Sequence, residues 1–220
     1  MTFVVACGLK REARLISRGG NVFPVAGGGD AARLERELDD TAEMFPGVIV
    51  SSGLAGALDP TLRAGDIVID GDPGFVVRVR SVLPEAITGT VTGVDAIAAT
   101  VVAKRALREA TGAIACDMES HIAERIARER GLPFGVIRVI SDDASATLPP
   151  AALVGMRPDG GIALGAVLAS VVRDPRQLPA LLRAGRQAGR AFRELGRLFD
   201  VLGRAGICSL DLGEFALDVA

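Results

Sequence analysis

Four side chains in this sequence are placed where they could do acid–base or charge-stabilising work: Glu12, Glu119, Arg138 and Asp142. Each stands near the expected C-terminal end of an apolar strand, or at the start of the helix that follows one. Arg138 is informative because it interrupts FGVIRVIS, whose other members Val136, Ile137, Val139 and Ile140 read as buried. A guanidinium in such a run needs a carboxylate or an anionic ligand to offset its lost hydration. Pairing with Asp117 or Glu119 is one reading, and a bound anion is the other. Asp142 and Asp143 close that strand, where they suit either chemistry or the N-cap of the next segment.

The elements that must hold these residues centre on Ala115 to Ser145. There a strand end carrying Asp117, Met118 and Glu119 leads into a helix stopped by Gly131 and Pro133, then into a strand ending at Ser141 and Asp142. Two apolar strands that end in acidic residues, joined by a crossover helix, should bring their carboxylates together at the C-terminal edge of a parallel sheet. Upstream, Thr2 to Cys7 reads as a buried strand, Leu9 to Ser17 as a helix and Asn21 to Ala26 as a second strand. Gly27 to Gly29 then make a turn, in preference to an anion cradle, before a helix from Asp30 to Met44 with Asp30 as its N-cap.

Gly47 to Ser52 is a further strand, running into Gly53-Leu54-Ala55-Gly56-Ala57, where small residues let backbone approach a ligand closely. Gly65 to Ile69, Phe75 to Arg80 and Ala86 to Thr92 read as strands, and Asp95 to Thr111 as a helix. Past Asp143 the pattern is helical, with segments from Ile162 to Val172 and from Pro175 to about Gly203. The second has an apolar stripe (Leu178, Leu181, Ala188, Leu195, Phe199, Leu202) and an arginine face (Arg183, Arg186, Arg190, Arg193, Arg197, Arg204). That face reads either as solvated surface or as a membrane contact. The alternation gives an α/β fold, a three-layer sandwich around a central, mostly parallel, twisted mixed sheet with added C-terminal helices. Residues 1–205 form one domain and 206–220 a tail.

Composition narrows the partners. The chain has 220 residues, 49% hydrophobic and 24% charged, with a formal net charge of −2. Nothing there calls for nucleic acid. Cys7, Cys116 and Cys208 lack CxxC or Cys/His spacing, so neither a disulfide framework nor a metal site is expected. Met1 runs straight into a strand without a basic leader, and no apolar run reaches the ~20 residues of a bilayer span, so a cytoplasmic protein is expected. His121 reads as a surface or satisfied core histidine, Cys116 as a small buried hydrophobe and Asp66 as a turn residue.

Together, Gly8 to Leu15, SGLAGALDPTLRAGDIVI at 52–69, Asp117-Met118-Glu119-Ser120 and RVISD at 138–142 resemble the motifs of the nucleoside phosphorylase and methylthioadenosine/adenosylhomocysteine nucleosidase superfamily. LPPAALVGMRPDG and the DPRQLPALLR helix resemble its hopanoid-associated phosphorylases. That subgroup is placed at removal of adenine from adenosylhopane to give ribosylhopane.

The resemblance implies cleavage of an N-glycosidic bond through an oxocarbenium-like sugar, with the base leaving as an anion. It makes Asp142 the general acid at purine N7, oriented by Ser141 and held protonated by burial or acidic neighbours. Glu119 would bind the ribose hydroxyls, Met118 would pack under the sugar, and Gly53, Leu54 and Ala55 would border the substrate. Glu12 would hold or activate the attacking water, and Arg138 would complete the polar cluster.

No cofactor is implied, phosphate being conceivable only as a co-substrate. In the phosphorolytic branch an arginine takes the place of Glu12, and here Ser51-Ser52-Gly53-Leu54 stands where phosphate contacts would be; a carboxylate repels phosphate, which favours water. Val94 and Ile97 stand where a base-stacking aromatic is expected. The partner is then an adenine nucleoside with a hopane at its 5′ position. A homo-oligomer is expected, with peripheral contact to the inner face of a membrane through Arg183, Arg186, Arg190, Arg193 and Arg197. The rival readings are a nucleosidase or phosphorylase for small nucleosides such as methylthioadenosine, and a non-catalytic nucleoside-binding protein.

Overall fold

The computed structural model of the chain describes residues 2–154 and 163–207. The expectations for part of LPPAALVGMRPDG, for Ile162, for Cys208 and for the tail past Ile207 lie outside the described residues. In chain order the strand β1 (Phe3–Cys7) leads to α1 (Lys10–Ile16), β2 (Val22–Ala26), α2 (Ala31–Met44) and β3 (Val48–Ala57). Then come β4 (Ile67–Gly71), α3 (Pro73–Val82), β5 (Ile87–Thr88), β6 (Val91–Gly93) and α4 (Val101–Thr111). The chain continues through β7 (Ala115–Asp117), α5 (Ser120–Arg130), β8 (Phe134–Asp142), α6 (Pro150–Leu153), α7 (Leu164–Arg173) and α8 (Leu178–Arg204).

The strands form one sheet in the order β2-β1-β3-β8-β4-β5, with β7 on β3 and β6 on β7. Pairing is parallel except for β3 with β7 and β4 with β8. Both faces are covered, which is why β1 is apolar without alternation. Phe3, Val5 and Cys7 pack against Leu195, Phe199 and Leu202 of α8. Val4 and Ala6 turn to the other face, against Leu34 and Leu38 of α2 and Ile122 and Ile126 of α5. This is the three-layer α/β sandwich expected.

Three local expectations are corrected. Phe75 to Arg80 is not a strand but lies within α3, where Pro73 occupies the first turn and Phe75 and Val79, one turn apart, are buried. The period-2 look of FVVRVR loses to that i,i+4 spacing, because Phe75 seats on Gly135 of β8 so closely that a Cβ there would lie 2.3 Å from its ring. The segment from Asp95 becomes helical only at Val101, after Thr100 caps the helix by accepting from the Ala103 amide at 3.1 Å. Residues 94–100 are left as a loop.

The third correction concerns the pairing of β7 and β8, which do not form a parallel crossover unit. Both pair with β3, β8 parallel to it and β7 antiparallel to it. One edge of β3 is consequently shared: β1 occupies it as far as Ser51, and β7, running the opposite way, occupies it from Gly56. The C-terminal ends of β1 and β7 face each other across the gap.

Candidate active site

The gap beside β3 is where the site forms. With no strand beside Leu54 on this edge of β3, its amide donates to Glu12 Oε1 at 2.9 Å. The other oxygen of Glu12 accepts from the Gly8 and Leu9 amides at 2.9 and 2.7 Å, which caps the first turn of α1. Gly53 has φ of +145°, and a Cβ there would lie 2.8 Å from Glu12 Oε1 and 3.0 Å from an Arg138 nitrogen. Only glycine lets β3 pass this close to the buried charges. Gly8 plays a similar part, since its Cβ would lie 2.8 Å from Glu119 Oε1.

Arg138 is fully buried, and both carboxylates weighed as its partners hold it. Its Nε lies 2.8 Å from Asp117 Oδ2, as a charge contact without hydrogen-bond alignment, and its Nη2 lies 3.0 Å from Glu119 Oε2. Ser51 Oγ at 2.5 Å and the Leu54 carbonyl at 3.3 Å accept from the rest of the guanidinium. Asp117 Oδ1 accepts from the Glu119 and Ser120 amides and so starts α5. Burial is the largest influence on Glu119 and pushes its carboxyl up to about 7, aided by Asp117 and Glu12 and opposed by Arg138. Burial also raises Glu12, against three backbone donors and Arg138.

Asp142 ends β8, where the register with β3 slips between Ala55 and Gly56 and turns its carboxylate toward Gly56. Ser141 Oγ donates to Asp142 Oδ1 at 2.7 Å. The acidic neighbours expected around Asp142 give way to a cation: the buried Lys104 of α4, 38 positions earlier in the sequence, contacts Oδ2 directly.

A cavity of about 510 Å³ opens between these residues and the C-terminal helices. Glu12, Asp117, Met118, Glu119, Ser141 and Asp142 line one end, with Leu54 and Ala55 beside them. Gly53 and Arg138 stand behind the wall and do not line it. Val94 and Ile97 border it from the loop ahead of α4, and Cys116 lies in its wall with its thiol pushed up to about 12, mostly by burial. The opposite end is formed by Leu153, Leu164, Val167, Leu181, Ala184 and Ala188 of α6, α7 and α8. Leu153 and Leu164 are also exposed, so this end opens to the surface. No lysine, arginine or histidine lines the cavity among the described residues.

Two lining or supporting residues escaped the sequence reading. Phe192 lines the cavity from α8 under the Arg11 guanidinium, 4.0 Å from its ring centre. Lys104 is the one buried residue of a helix whose other positions are exposed or half-buried. His121 is half-buried against Gly93, 3.3 Å from Asp95. Asp66 accepts from the Arg63 amide in a turn. Among the described residues no cluster of metal-ligating side chains is present.

No curated relative matches the chain. Among solved structures, an S-adenosylhomocysteine nucleosidase from Streptococcus pyogenes in complex with 5-methylthiotubericidin is similar, with a TM-score of 0.62 and 17% identity over 93% of this chain and 97% of that one. A futalosine hydrolase mutant from Helicobacter pylori gives 0.65 and 13% over 93% and 100%. A 5′-methylthioadenosine/S-adenosylhomocysteine nucleosidase from Colwellia psychrerythraea in complex with adenine gives 0.63 and 16% over 93% and 95%. Residues 74–173, which carry Lys104, Asp117, Glu119, Arg138 and Asp142, match the model of the phosphorylase superfamily, and the described chain has the nucleoside phosphorylase/nucleosidase fold.

Proposed function

We propose that this protein hydrolyses the N-glycosidic bond of an adenine nucleoside whose 5′ substituent is large and apolar, adenosylhopane being the substrate that fits the sequence resemblance. The observation that carries this reading is the cavity lined at one end by four acidic side chains, of which Glu12, Asp117 and Asp142 are buried, and at the other by a surface-opening wall of aliphatic side chains. Ribose hydroxyls donate to Glu119, and Met118 packs against the sugar. A carboxylate beside the ring favours the positive charge that grows on C1′ as the bond breaks. Asp142, oriented by Ser141, delivers the proton to N7. Glu12, raised by burial, takes the proton of the attacking water. Arg138 touches no substrate and fixes Asp117 and Glu119 in place.

Water is favoured over phosphate because a phosphate dianion would enter a pocket lined, among the described residues, by carboxylates and no cation. The test is adenine release from adenosylhopane and from methylthioadenosine, each with and without phosphate. The expected result is phosphate-independent release that is faster from the hopane nucleoside. A strict phosphate requirement removes the water mechanism, and a preference for methylthioadenosine points to the small-nucleoside reading.

An insoluble substrate suggests collection at a lipid surface. Supporting this, α7 has no buried residue, and its Leu164, Leu168 and Val172 are 68%, 65% and 79% exposed beside the cavity opening. Arg173 at the end of α7, Arg176 in the link that follows and Arg183 and Arg186 in the first half of α8 are also exposed. Arg197 is less suited than the sequence suggests, since it pairs with Glu85 at 3.0 Å and Glu194 at 2.8 Å. Each basic residue near an anionic surface contributes about 1 kcal/mol. Sedimentation with phosphatidylglycerol vesicles should fall with salt and with Leu168→Glu; binding unchanged by both would count against the idea. Among the described residues no helix is long and apolar enough to cross a membrane.

A further inference from the structure

The helix α4 turns one buried residue toward the sheet, and that residue is a lysine, 1% exposed. A leucine would pack there without cost, whereas an ammonium loses its hydration and must find partners. Lys104 finds three acceptors for its three N–H groups: the Asp142 carboxylate, the Asp143 carbonyl at 2.8 Å and the Ala146 carbonyl at 3.2 Å. Asp142 therefore has an ammonium behind it, the Ser141 hydroxyl on its other oxygen and the cavity in front.

That arrangement sets a chemical problem for the reaction. A carboxylate has no proton to give, and N7 of the departing base requires one. The other groups near Asp142 do not supply it. Asp117 is tied to Arg138 and to the start of α5, and Asp143 accepts from the Ala64 amide and Gln187. Arg138 is a permanent cation held by Asp117 and Glu119, Cys116 carries a thiol that burial keeps protonated, and Glu12 and Glu119 belong to the sugar end. Of the two donors in direct contact, the Ser141 hydroxyl and the Lys104 ammonium, the ammonium is by far the stronger acid.

Resting on the nucleosidase reading above, we infer that Lys104 is a positioning residue that supplies, through Asp142, the proton received by the leaving base. As the C1′–N9 bond breaks, its electron pair moves into the purine; Lys104 passes a proton to the Asp142 carboxylate and becomes an amine, and Asp142 hands that same proton to N7 and ends again as a carboxylate. Water adds its hydroxyl to C1′ and leaves its proton on Glu12. When the products depart, solvent returns a proton to Lys104 and removes the one on Glu12, so the cycle balances. The ion pair holds the carboxylate in register between turnovers and is neutral only in passing, while the proton moves toward the negative charge gathering on the base.

The test uses the full chain with adenosylhopane and with p-nitrophenyl riboside, whose leaving group departs without a proton. For Lys104→Met, kcat for adenine release should fall by about 10²-fold or more with KM little changed, while p-nitrophenol release stays near the parent's. A merely structural lysine would lose both reactions together. Lys104→Arg decides the question with the first substrate alone, because a guanidinium can keep the carbonyl and carboxylate contacts yet does not give up a proton. It should be as slow as Lys104→Met. Loss of both reactions in Lys104→Met, loss of neither, or parental adenine release by Lys104→Arg overturns the inference. A parent protein that releases no adenine from any nucleoside overturns the nucleosidase reading itself, a separate outcome.

Discussion

Around the Arg138 guanidinium lie Glu12, Asp117 and Glu119, three carboxylates for one cation in a buried space. Full ionisation would leave uncompensated negative charge out of water, and burial pushes the Glu119 carboxyl up to about 7, so that the ligand-free cluster gives up its last proton only near neutral pH. The sign of the stability effect follows. Between the ordinary glutamate value of 4.5 and about 7 the folded chain holds a proton that the unfolded chain has released. Stability from this group is complete below that window and is lost as pH rises through it. The ligand-free protein should melt at progressively lower temperature from pH 5 to pH 8, and Glu119→Gln, which mimics the protonated acid, should match the parent at pH 5 and melt higher at pH 8. Parallel curves for the two proteins would contradict this.

At this scale the sequence showed Glu12, Glu119 and Asp142, because carboxylates at strand ends stand out against apolar runs. Lys104 did not stand out, since in VVAKRALREAT it looks like one more charge on an exposed helix and its partner is 38 positions away. Phe192 hid within the apolar stripe of its helix.

Among the elements β3 decides the site. It is long enough to be paired by β1 at its start and by the opposed β7 at its end, and the site occupies the interval between them. Gly53 lies in that interval with a backbone conformation that side chains rarely adopt. Gly53→Ala should cost about 1–3 kcal/mol from the backbone alone and push Glu12 off the Leu54 amide. Adenine release should then fall further than the drop in melting temperature explains; a variant with parental activity would show that the close approach is dispensable. The antiparallel entry of β7 was not legible, because ACDMES reads the same whichever way its strand pairs. Nor was α3, where alternation and helical spacing coexist in PGFVVRVRSV and only the contact of Phe75 with Gly135 separates them.

At the scale of the molecule, the described residues set a polar pole on the sheet against an apolar pole on the C-terminal helices. Helix α8 joins them: Leu195, Leu198, Phe199 and Leu202 belong to the sheet's core, while Leu181, Ala184 and Ala188, nearer its start, line the cavity. A nucleoside held by its sugar at Glu119 would lead any 5′ substituent toward that wall. In the proposed reaction, bond cleavage depends on the polar pole alone, and there on one proton transfer. The most direct measurement is adenine release from adenosylhopane by the parent and by Asp142→Asn at saturating substrate. Loss of about 10²- to 10⁴-fold in kcat is the expected result, measured well below the variant's own melting temperature because Asn leaves the buried Lys104 ammonium without its counter-charge. An undiminished rate in Asp142→Asn would contradict the assignment of position 142 as the acid.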